Sequence, residues 1–383
     1  MWKIKGTIRY FLSMWTVTFV QMGIFIYIQQ MIAGSNRGEV QDFRWESLLL
    51  QLFVLLPYVV FAAPASFLSN RFPKHKVLAW TSVLMTAFLI AMAVCATVGV
   101  SGVAYWLFLG LATGFALHSP AKYGILKEMC STRYLGYANA FLQIVSLISL
   151  VAASALCLGG VEFVRSNFEN VPNVNDFLSS SIALPWILTG FSVLGTVLSF
   201  FIPKVGTEST TTKIRSVKRE FRSTLSNPLV RATILGISMF WGMAQVFVLI
   251  FQDANGQGIN FLKNSILFAF LGLAIGSIWA ARSSRNFIET GHIPLGMLLV
   301  VVSMVPIPFV SNPTVLAILF TLAGLGGGLF LVPLNSLLQY NTKPHTAGRI
   351  LSISNLVQAL ILAGFLAIYS VLQYYFKLEP QYF

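Results

Sequence analysis

Apolar runs of about 20 residues, separated by short polar segments, recur along the whole chain. A helix of about 20 residues crosses a hydrocarbon core of about 30 Å, so each run predicts one membrane-spanning helix. The alternating segments of about ten residues that a transmembrane β-barrel needs are not evident. The pattern therefore predicts an all-α polytopic membrane protein. Its eleven predicted helices lie near residues 10–33, 46–68, 77–98, 102–127, 134–158, 181–203, 228–252, 261–281, 292–310, 313–339 and 349–376.

One long polar segment, residues 204–227, interrupts this pattern and divides the chain into two halves. We predict an N-terminal six-helix bundle over 1–203, a cytoplasmic linker over 204–227 and a C-terminal bundle of five helices over 228–383. Within the linker, SVKREFRST mixes basic and apolar positions as a short helix on a bilayer surface does. A plain solvated linker is the alternative.

The two halves share landmarks that indicate an internal repeat. Gly114 and Pro120 near the end of the fourth predicted helix recur 213 residues later as Gly327 and Pro333 in the tenth. Such a repeat predicts two pseudo-symmetric helical bundles, as in transporters built from two six-helix halves. Twelve helices would complete that plan, and KLEPQYF follows the eleventh. We therefore expect that the twelfth helix is missing and that the C-terminus lies outside.

Composition and charge narrow the class of protein further. Hydrophobic residues make up 56% of the chain and charged residues 10%, against about 25% charged in soluble domains. With a cytoplasmic N-terminus, 20 of the 25 lysines and arginines lie on the inner side, as the positive-inside rule predicts. The net charge of +13 then faces anionic inner-leaflet lipid, which is an expected partner. Binding to nucleic acid would need a basic soluble domain, and the pattern leaves no room for one.

Motifs of enzymes and of metal sites do not occur in the sequence. It contains no GxSxG, Walker or HExxH pattern, and no histidine is followed five residues later by the aspartate of an acyltransferase. The three cysteines lack the spacing of metal ligands. We therefore expect no catalytic residue, no cofactor and no metal.

Four stretches carry a resemblance to a known family. SFLSNRFPKHKVL (66–78) resembles the loop signature of the major facilitator superfamily, with Asn70 where the signature has Asp. SPAKYGIL (119–126), ETGHIPLG (289–296) and GGLFLVPLNSLLQ (327–339) resemble the bacterial lysophospholipid transporter family, and the membrane domain of fused acyl-acyl-carrier-protein synthetase/acyltransferase proteins. The likeness extends over about residues 50–360.

The resemblance implies a flippase of the bacterial inner membrane with the major facilitator fold. Such a protein moves lysophosphatidylethanolamine and lysophosphatidylglycerol to the inner leaflet, where a cytoplasmic acyltransferase rebuilds the diacyl lipid. That acyltransferase is a further expected partner, and a monomer is expected. The chain departs from the family in its first helix, where Gln21 stands near the position of an acidic residue.

Lys122 is the predicted ligand for the phosphate of the lipid. A phosphate at membrane depth needs a cation beside it, and lysine supplies a mobile point charge. His118 lies one turn away on the same face, by the i, i+4 rule, and Tyr123 follows Lys122 directly. The alternatives are that Lys122 snorkels to the headgroups, that His118 is satisfied by a neighbour, and that Tyr123 belongs to an interfacial belt.

Other polar residues in the apolar runs are predicted to line the substrate path or, alternatively, to bond one helix to another. They are Asn335, Asn139, Gln143, Asn355, Gln358, Gln21 and Gln245. A second group of charged residues, near the inner ends of helices, is predicted to brace the inward gate, with surface anchoring as the alternative. These are Arg71, Lys74, Glu128, Arg282, Arg285 and Glu289.

The twelve acidic residues lie in loops and near helix ends, and none is predicted at mid-membrane. Proton-coupled carriers usually need such a group. The sequence therefore predicts uniport by alternating access. Two other functions stay open: a facilitator of another amphipathic anion or drug-like solute, and a membrane scaffold for an acyltransferase that does not transport.

Overall fold

The computed structural model describes residues 6–35, 40–130, 132–157, 182–205, 217–256, 261–284, 287–310, 312–342 and 346–376. Within these ranges the regular structure is entirely helical, as the apolar runs predict. The helices are α1 Thr7–Ser35, α2 Val40–Val60, α3 Ala62–Arg71, α4 Lys74–Val98, α5 Ala104–Met129, α6 Leu135–Ala155, α7 Ala183–Phe200, α8 Val217–Leu225, α9 Pro228–Gly256, α10 Phe261–Ser283, α11 His292–Met304, α12 Pro313–Tyr340 and α13 Ala347–Phe376.

The second predicted helix is where structure and prediction differ most. A single helix near 46–68 was expected, and the structure has α2 and α3 meeting at a bend of 54°. Pro64 explains the break, because it has no N–H to donate to the carbonyl of Val60 and its ring crowds that turn. The bend falls at Phe61, between these two residues.

Length and hydropathy identify this chain as a multi-pass membrane protein. Among the described residues, seven helices could cross a membrane, and the bent pair α2–α3 would be an eighth. Helix α5 is long enough but is not among the seven. Its second half contains His118, Pro120 and Lys122, and these residues lower its hydropathy. The polar residues that set α5 apart from the other helices therefore include His118 and Lys122, which are predicted to bind substrate.

The basic segment before α9 forms the short helix that its pattern predicts. In α8, Arg219 and Arg222 are exposed while Thr224 is buried, so the helix has a charged face and a packed face. Asn227 begins the next helix, because its side-chain oxygen accepts hydrogen bonds from the backbone N–H groups of Leu229 and Val230 at 3.0 and 3.4 Å.

The chain forms two compact units, each of which is described by itself. The first unit contains Trp2–Ile125 and Val145–Ile214, and the second contains Leu126–Ile144 and Arg215–Phe383. The last turn of α5 and the first half of α6 thus belong to the second unit. The domain boundaries drawn from the sequence, at 203 and 228, stay a prediction.

The core of the first unit is formed by α1, α4, α5 and α7. Helix α7 packs along both α1 and α4. Ile24, Leu89 and Leu188 are fully buried among these helices. A hydroxyl pair also joins two of them, with Thr86 Oγ1 and Ser192 Oγ 2.6 Å apart. This core fixes the positions of α1 and α4, against which the second half of α5 lies.

Glycine determines how the helices of the second unit pack. Helix α12 lies against α10 and α11, and α9 lies against α13. A Cβ atom added at Gly272 or Gly324 would overlap a backbone carbonyl oxygen of the facing helix, and one added at Gly296 would lie 2.6 Å from the oxygen of Gly326. The backbones of α10, α11 and α12 are therefore in direct contact, as small residues permit in membrane helices.

Candidate functional site

The second half of α5 is one continuous helix in spite of the proline within it. The helix runs from Ala104 to Met129 and includes Pro120. Because proline has no N–H, the carbonyl of Ala116 one turn earlier has no helical donor. Two other helices of the first unit hold this part of α5 through buried hydrogen bonds, one at His118 and one at Lys122.

His118 bonds to α4. Its Nδ1 atom lies 2.8 Å from Oγ1 of Thr81, and the two side chains are 2% and 4% exposed. The Thr81 hydroxyl donates to the carbonyl of Val77 at 2.7 Å. The other imidazole nitrogen, Nε2, is buried and has no hydrogen-bond partner among the described residues. The alternative that a neighbour satisfies His118 therefore holds for Nδ1 and does not account for Nε2.

Lys122 is held through its backbone. The hydroxyl of Tyr10 on α1 donates to the Lys122 carbonyl oxygen at 2.7 Å, and Tyr10 is fully buried. The bond leaves the lysine side chain free to move, because it fixes the main chain and does not touch the ammonium group. Tyr10 therefore sets the position of Lys122 without neutralising its charge.

The Lys122 ammonium group has an aromatic neighbour. It is half-buried and lies 5.7 Å from the ring centroid of Tyr123. Helices α1, α4, α5 and α7 contain a single acidic residue, Glu128, which lies six residues beyond Lys122. Among the described residues of the first unit, no carboxylate forms an ion pair with Lys122.

This arrangement suits an anion that carries hydrogen-bonding groups. A cation in a low-dielectric place is costly without a counter-charge, so a bound anion would relieve that cost. Tyr123, whose ring lies next to the ammonium group, carries a hydroxyl that can donate a hydrogen bond, and the flexible lysine stem allows the charge to bind a ligand and release it.

A second buried polar cluster lies in the second unit, near the start of α6 and the end of α12. Asn139 and Gln339 exchange two hydrogen bonds through their amides. Nδ2 of Asn139 donates to Oε1 of Gln339 at 3.1 Å, and Nε2 of Gln339 donates to Oδ1 of Asn139 at 2.7 Å. The side chains are 5% and 2% exposed. Their amides are therefore occupied with each other, which matches the alternative of helix-to-helix bonding.

Lys127, in the last turn of α5, extends this cluster. Its ammonium group donates to the carbonyl oxygens of Gln339 at 3.0 Å, Tyr340 at 2.9 Å and also Thr342. Helix α12 ends at Tyr340, so the lysine donates to carbonyls at the negative end of that helix and to one carbonyl just beyond it. We call Lys127, Asn139 and Gln339 the α12 cap.

The amide pair predicts a specific pattern of stabilities. Asn139→Leu or Gln339→Leu alone should lower the free energy of unfolding by about 1–3 kcal/mol, because the remaining amide is buried without its partner. The double variant should be no less stable than either single variant, since both amides are then gone. Thermal unfolding of the purified variants measures this coupling. Strictly additive losses would contradict the pair.

The other polar residues predicted to line the path differ in their surroundings. Asn335 is half-buried, and its amide donates to the carbonyl of Leu331 in its own helix at 3.0 Å. The amide of Gln358 donates to Ser354 at 3.0 Å. Half-buried side chains also occur at Gln21, Gln143, Gln245 and Asn355. Their roles in substrate binding stay predictions.

The predicted gating residues differ in their surroundings. Arg71 is exposed and stacks over Phe67 with its guanidinium carbon 5.2 Å from the ring centroid. The side-chain oxygen Oε1 of Glu289 accepts from the backbone N–H of Gly291 at 3.2 Å, beside the start of α11. Of the others, Lys74 is buried, Glu128 is half-buried, Arg282 is exposed, and Arg285 lies outside the described residues.

Sequence reasoning missed Tyr10, Thr81 and the α12 cap residues Lys127 and Gln339. Tyr10 and Thr81 act through partners 112 and 37 residues away, and nothing local in the sequence predicts such pairs. The charge pattern places Lys127 on the inner side as one of the 20 cations there and predicts no partner for it. Its place in the last turn of a helix was a usable signal, because lysine there bonds to helix-end carbonyls.

Comparison with known proteins identifies the fold family. Residues 10–367 match the Major Facilitator Superfamily. The chain belongs to the major facilitator superfamily. The lysophospholipid transporter LplT of Photorhabdus laumondii is 27% identical over 348 residues, which cover 85% of this chain and 79% of that relative. The transporter of the same name from Citrobacter koseri is 26% identical over 345 residues, covering 85% and 79%. Both resemblances predicted from the loop motifs are thereby confirmed.

Solved structures agree with this major facilitator fold. The human organic anion transporter MFSD10 has a TM-score of 0.72 at 14% identity and covers 99% of this chain and 96% of its own. The Escherichia coli fucose:proton symporter FucP has a TM-score of 0.72 at 13% identity, covering 99% and 94%. At such identities the likeness concerns the fold. The predicted fold class, an all-α polytopic protein of the major facilitator type, is confirmed.

Proposed function

We propose that this chain is a secondary transporter that moves lysophospholipids to the inner leaflet of a bacterial inner membrane for reacylation. Lysophosphatidylethanolamine and lysophosphatidylglycerol are the proposed substrates. The proposal rests on the Lys122 ammonium group, which is half-buried inside α5 and has no acidic partner among the described residues of its unit. The relatives named lysophospholipid transporters support the same class of substrate.

In this proposal the lipid phosphate binds at Lys122. The ammonium group supplies the counter-charge that a phosphate requires in a low-dielectric site. The hydroxyl of Tyr123 donates a second hydrogen bond, and the apolar surface of the neighbouring helices accommodates the single acyl chain. Gln21 on α1 is proposed to add a neutral polar contact within the same unit. The predicted polar residues of the second unit, each by itself, are also proposed to contact substrate; they are Gln143, Gln245, Asn335, Asn355 and Gln358.

We further propose uniport by alternating access, with the N-terminus in the cytoplasm. Helices α1, α4, α5 and α7 contain no acidic residue apart from Glu128 near the end of α5, so these helices offer no carboxylate at mid-membrane to carry a coupling proton. The α12 cap is proposed to hold the end of α12 in place on the cytoplasmic side, because α12 cannot move away from Lys127 without exposing its end carbonyls. Arg71, Lys74, Glu128, Arg282, Arg285 and Glu289 are proposed to brace the same side.

The proposed partners follow from the proposed substrate. A transporter that delivers lysophospholipid to the inner leaflet supplies an acyltransferase, which would esterify the free hydroxyl of the lipid. We propose that this enzyme acts from the cytoplasm and that the transporter functions as a monomer surrounded by membrane lipid.

Transport of another amphipathic anion is the second candidate. Lys122 provides charge without defining the rest of the ligand, so an alkyl phosphate or a drug-like anion would also pair with it. A scaffold that docks an acyltransferase without transport is the third. The three functions differ in the flux that each predicts.

The test is uptake of radiolabelled lysophosphatidylethanolamine into membrane vesicles from cells that express the chain. The proposal predicts saturable uptake above that of vesicles from cells without it. If an unrelated amphipathic anion inhibits this uptake at a lower concentration than unlabelled lysophosphatidylethanolamine does, the second candidate is favoured. Uptake equal to the background in vesicles that contain the protein rejects the first proposal and favours a scaffold. Loss of uptake on dissipating the proton gradient would contradict uniport.

A further inference from the structure

The unpartnered nitrogen of His118 is the feature that the proposed function leaves unexplained. A buried hydrogen-bonding atom nearly always has a partner in a folded protein, so an exception calls for a ligand or a function. His118 is 2% exposed, and its Nε2 atom has no partner among the described residues. The same side chain is anchored at its other nitrogen, which excludes a freely rotating ring.

The hydrogen bonds of Thr81 determine which nitrogen of His118 carries the proton. A threonine hydroxyl has one proton, and that of Thr81 points to the carbonyls of Val77 and Leu78 at 2.7 and 3.1 Å. The contact of 2.8 Å with His118 must then be donated by the imidazole, from Nδ1 to Oγ1. In a neutral imidazole with a protonated Nδ1, Nε2 carries a lone pair. The free nitrogen is therefore a hydrogen-bond acceptor.

This acceptor lies beside the proposed phosphate ligand. Lys122 follows His118 by four residues in a continuous helix, so the two side chains share a face and are about 6 Å apart along the helix axis. The imidazole and the ammonium group also interact electrostatically. A ligand that fits both must have an anionic group and, next to it, a hydrogen-bond donor.

A lysophospholipid has these two groups on adjacent parts of one glycerol unit. Its phosphate is the anion, and the hydroxyl left by the missing acyl chain is the donor. A diacyl phospholipid carries an ester at that position, and an ester has no proton to donate. When the donor is this glycerol hydroxyl, the pair distinguishes the lipid with one chain from the lipid with two, whereas a headgroup donor is common to both.

We infer that Nε2 of His118 accepts a hydrogen bond from the free glycerol hydroxyl of a lysophospholipid whose phosphate is bound at Lys122. The inference rests on the proposed function and assigns the group that selects lyso over diacyl lipid. Thr81 is a positioning residue, because its hydroxyl holds the imidazole in the accepting tautomer. The nitrogen is closed to solvent, so the ligand hydroxyl reaches it by displacing the side chains that cover it.

The test compares two lipids that differ in the hydroxyl alone. One is lysophosphatidylethanolamine, and the other is its deoxy analogue, in which hydrogen replaces the free glycerol hydroxyl. Each competes with radiolabelled lysophosphatidylethanolamine for uptake into proteoliposomes that contain the full chain. For the wild type we expect the lipid with the hydroxyl to inhibit at a concentration about 5- to 30-fold lower.

Two substitutions at His118 separate the two nitrogens. His118→Asn places an amide near Nδ1, so it retains a donor to Thr81 and removes the acceptor at Nε2. We expect the two lipids to inhibit uptake by this variant at equal concentrations. His118→Gln reaches the position of Nε2 and should restore part of the preference. Thr113→Val on the same helix removes a hydrogen bond to Leu109 at 2.9 Å and should leave the preference unchanged.

The outcomes distinguish this inference from the proposed function. Uptake by the wild type with equal inhibition by both lipids overturns the inference and leaves the function standing. A preference for the hydroxyl that persists in His118→Asn also overturns the inference. The same comparison is repeated with lysophosphatidylglycerol and its deoxy analogue, which lack the ethanolamine amine. If His118→Asn weakens inhibition by the ethanolamine lipids alone, with or without the glycerol hydroxyl, Nε2 binds the headgroup amine and the inference is overturned. Absence of uptake by the wild type overturns both.

Discussion

Replacing Lys122 by methionine should lower the initial rate of lysophosphatidylethanolamine uptake by about 10- to 100-fold. A hydrogen bond to a charged group contributes about 1.5–3 kcal/mol, which corresponds to this range of rates when the bond is made in the transported complex. Methionine retains the length and flexibility of the side chain, so the loss measures the charge. The Tyr10 bond goes to the main chain of residue 122 and should survive the change.

Two further variants control for this result. Lys122→Arg retains the charge on a larger planar group, so it should restore part of the rate and alter the preference among headgroups. Lys76→Met removes an exposed lysine near the start of α4 and should leave uptake within a factor of about two. Equal rates for the wild type and Lys122→Met, at equal amounts of protein, would show that Lys122 anchors the helix in the headgroups.

Replacing Gly324 by leucine should prevent the second unit from folding. A Cβ at Gly324 would overlap the carbonyl oxygen of Ala269 on the facing helix, and a backbone cannot give way as a flexible side chain does. We expect Gly324→Ala to destabilise the protein by about 1–3 kcal/mol and Gly324→Leu by more than about 4 kcal/mol. Thermal unfolding and size-exclusion profiles of the purified proteins measure both effects.

Gly364→Leu on α13 is the matched control. A Cβ at Gly364 would meet no atom within 4 Å, and the residue is exposed, so leucine there should leave the unfolding temperature close to that of the wild type. A Gly324→Leu protein that is as stable and monodisperse as Gly364→Leu would contradict the close contact between α10 and α12.

Hydropathy predicted the helices because each apolar run must satisfy its own backbone in the membrane. Every predicted segment coincides with a helix, and α8 appears where a basic amphipathic helix was expected. The bend between α2 and α3 was not predicted, although Pro64 is visible in the sequence. Proline is tolerated in membrane helices when neighbours satisfy the freed carbonyl, so its presence alone does not determine a break.

The candidate site was predictable where its geometry is local. His118 and Lys122 share a face because a helix repeats every 3.6 residues, and this follows from the sequence. Tyr10 and Thr81 could not be found in that way, because they meet α5 through the packing of α1 and α4. Asn139 illustrates the reverse case. Its polarity suggested a substrate contact, and its partner Gln339, 200 residues away, accounts for its amide.

The central claim is that this chain transports lysophospholipids through a site that holds the phosphate at Lys122. The most direct test is uptake into proteoliposomes that contain the purified chain, with radiolabelled lysophosphatidylethanolamine and, in parallel, a monoacylglycerol that lacks the phosphate. The account predicts saturable uptake of the lysophospholipid by the wild type, little of the monoacylglycerol, and loss of the difference in Lys122→Met. Equal uptake of both lipids by the wild type, or none above protein-free liposomes, would contradict it.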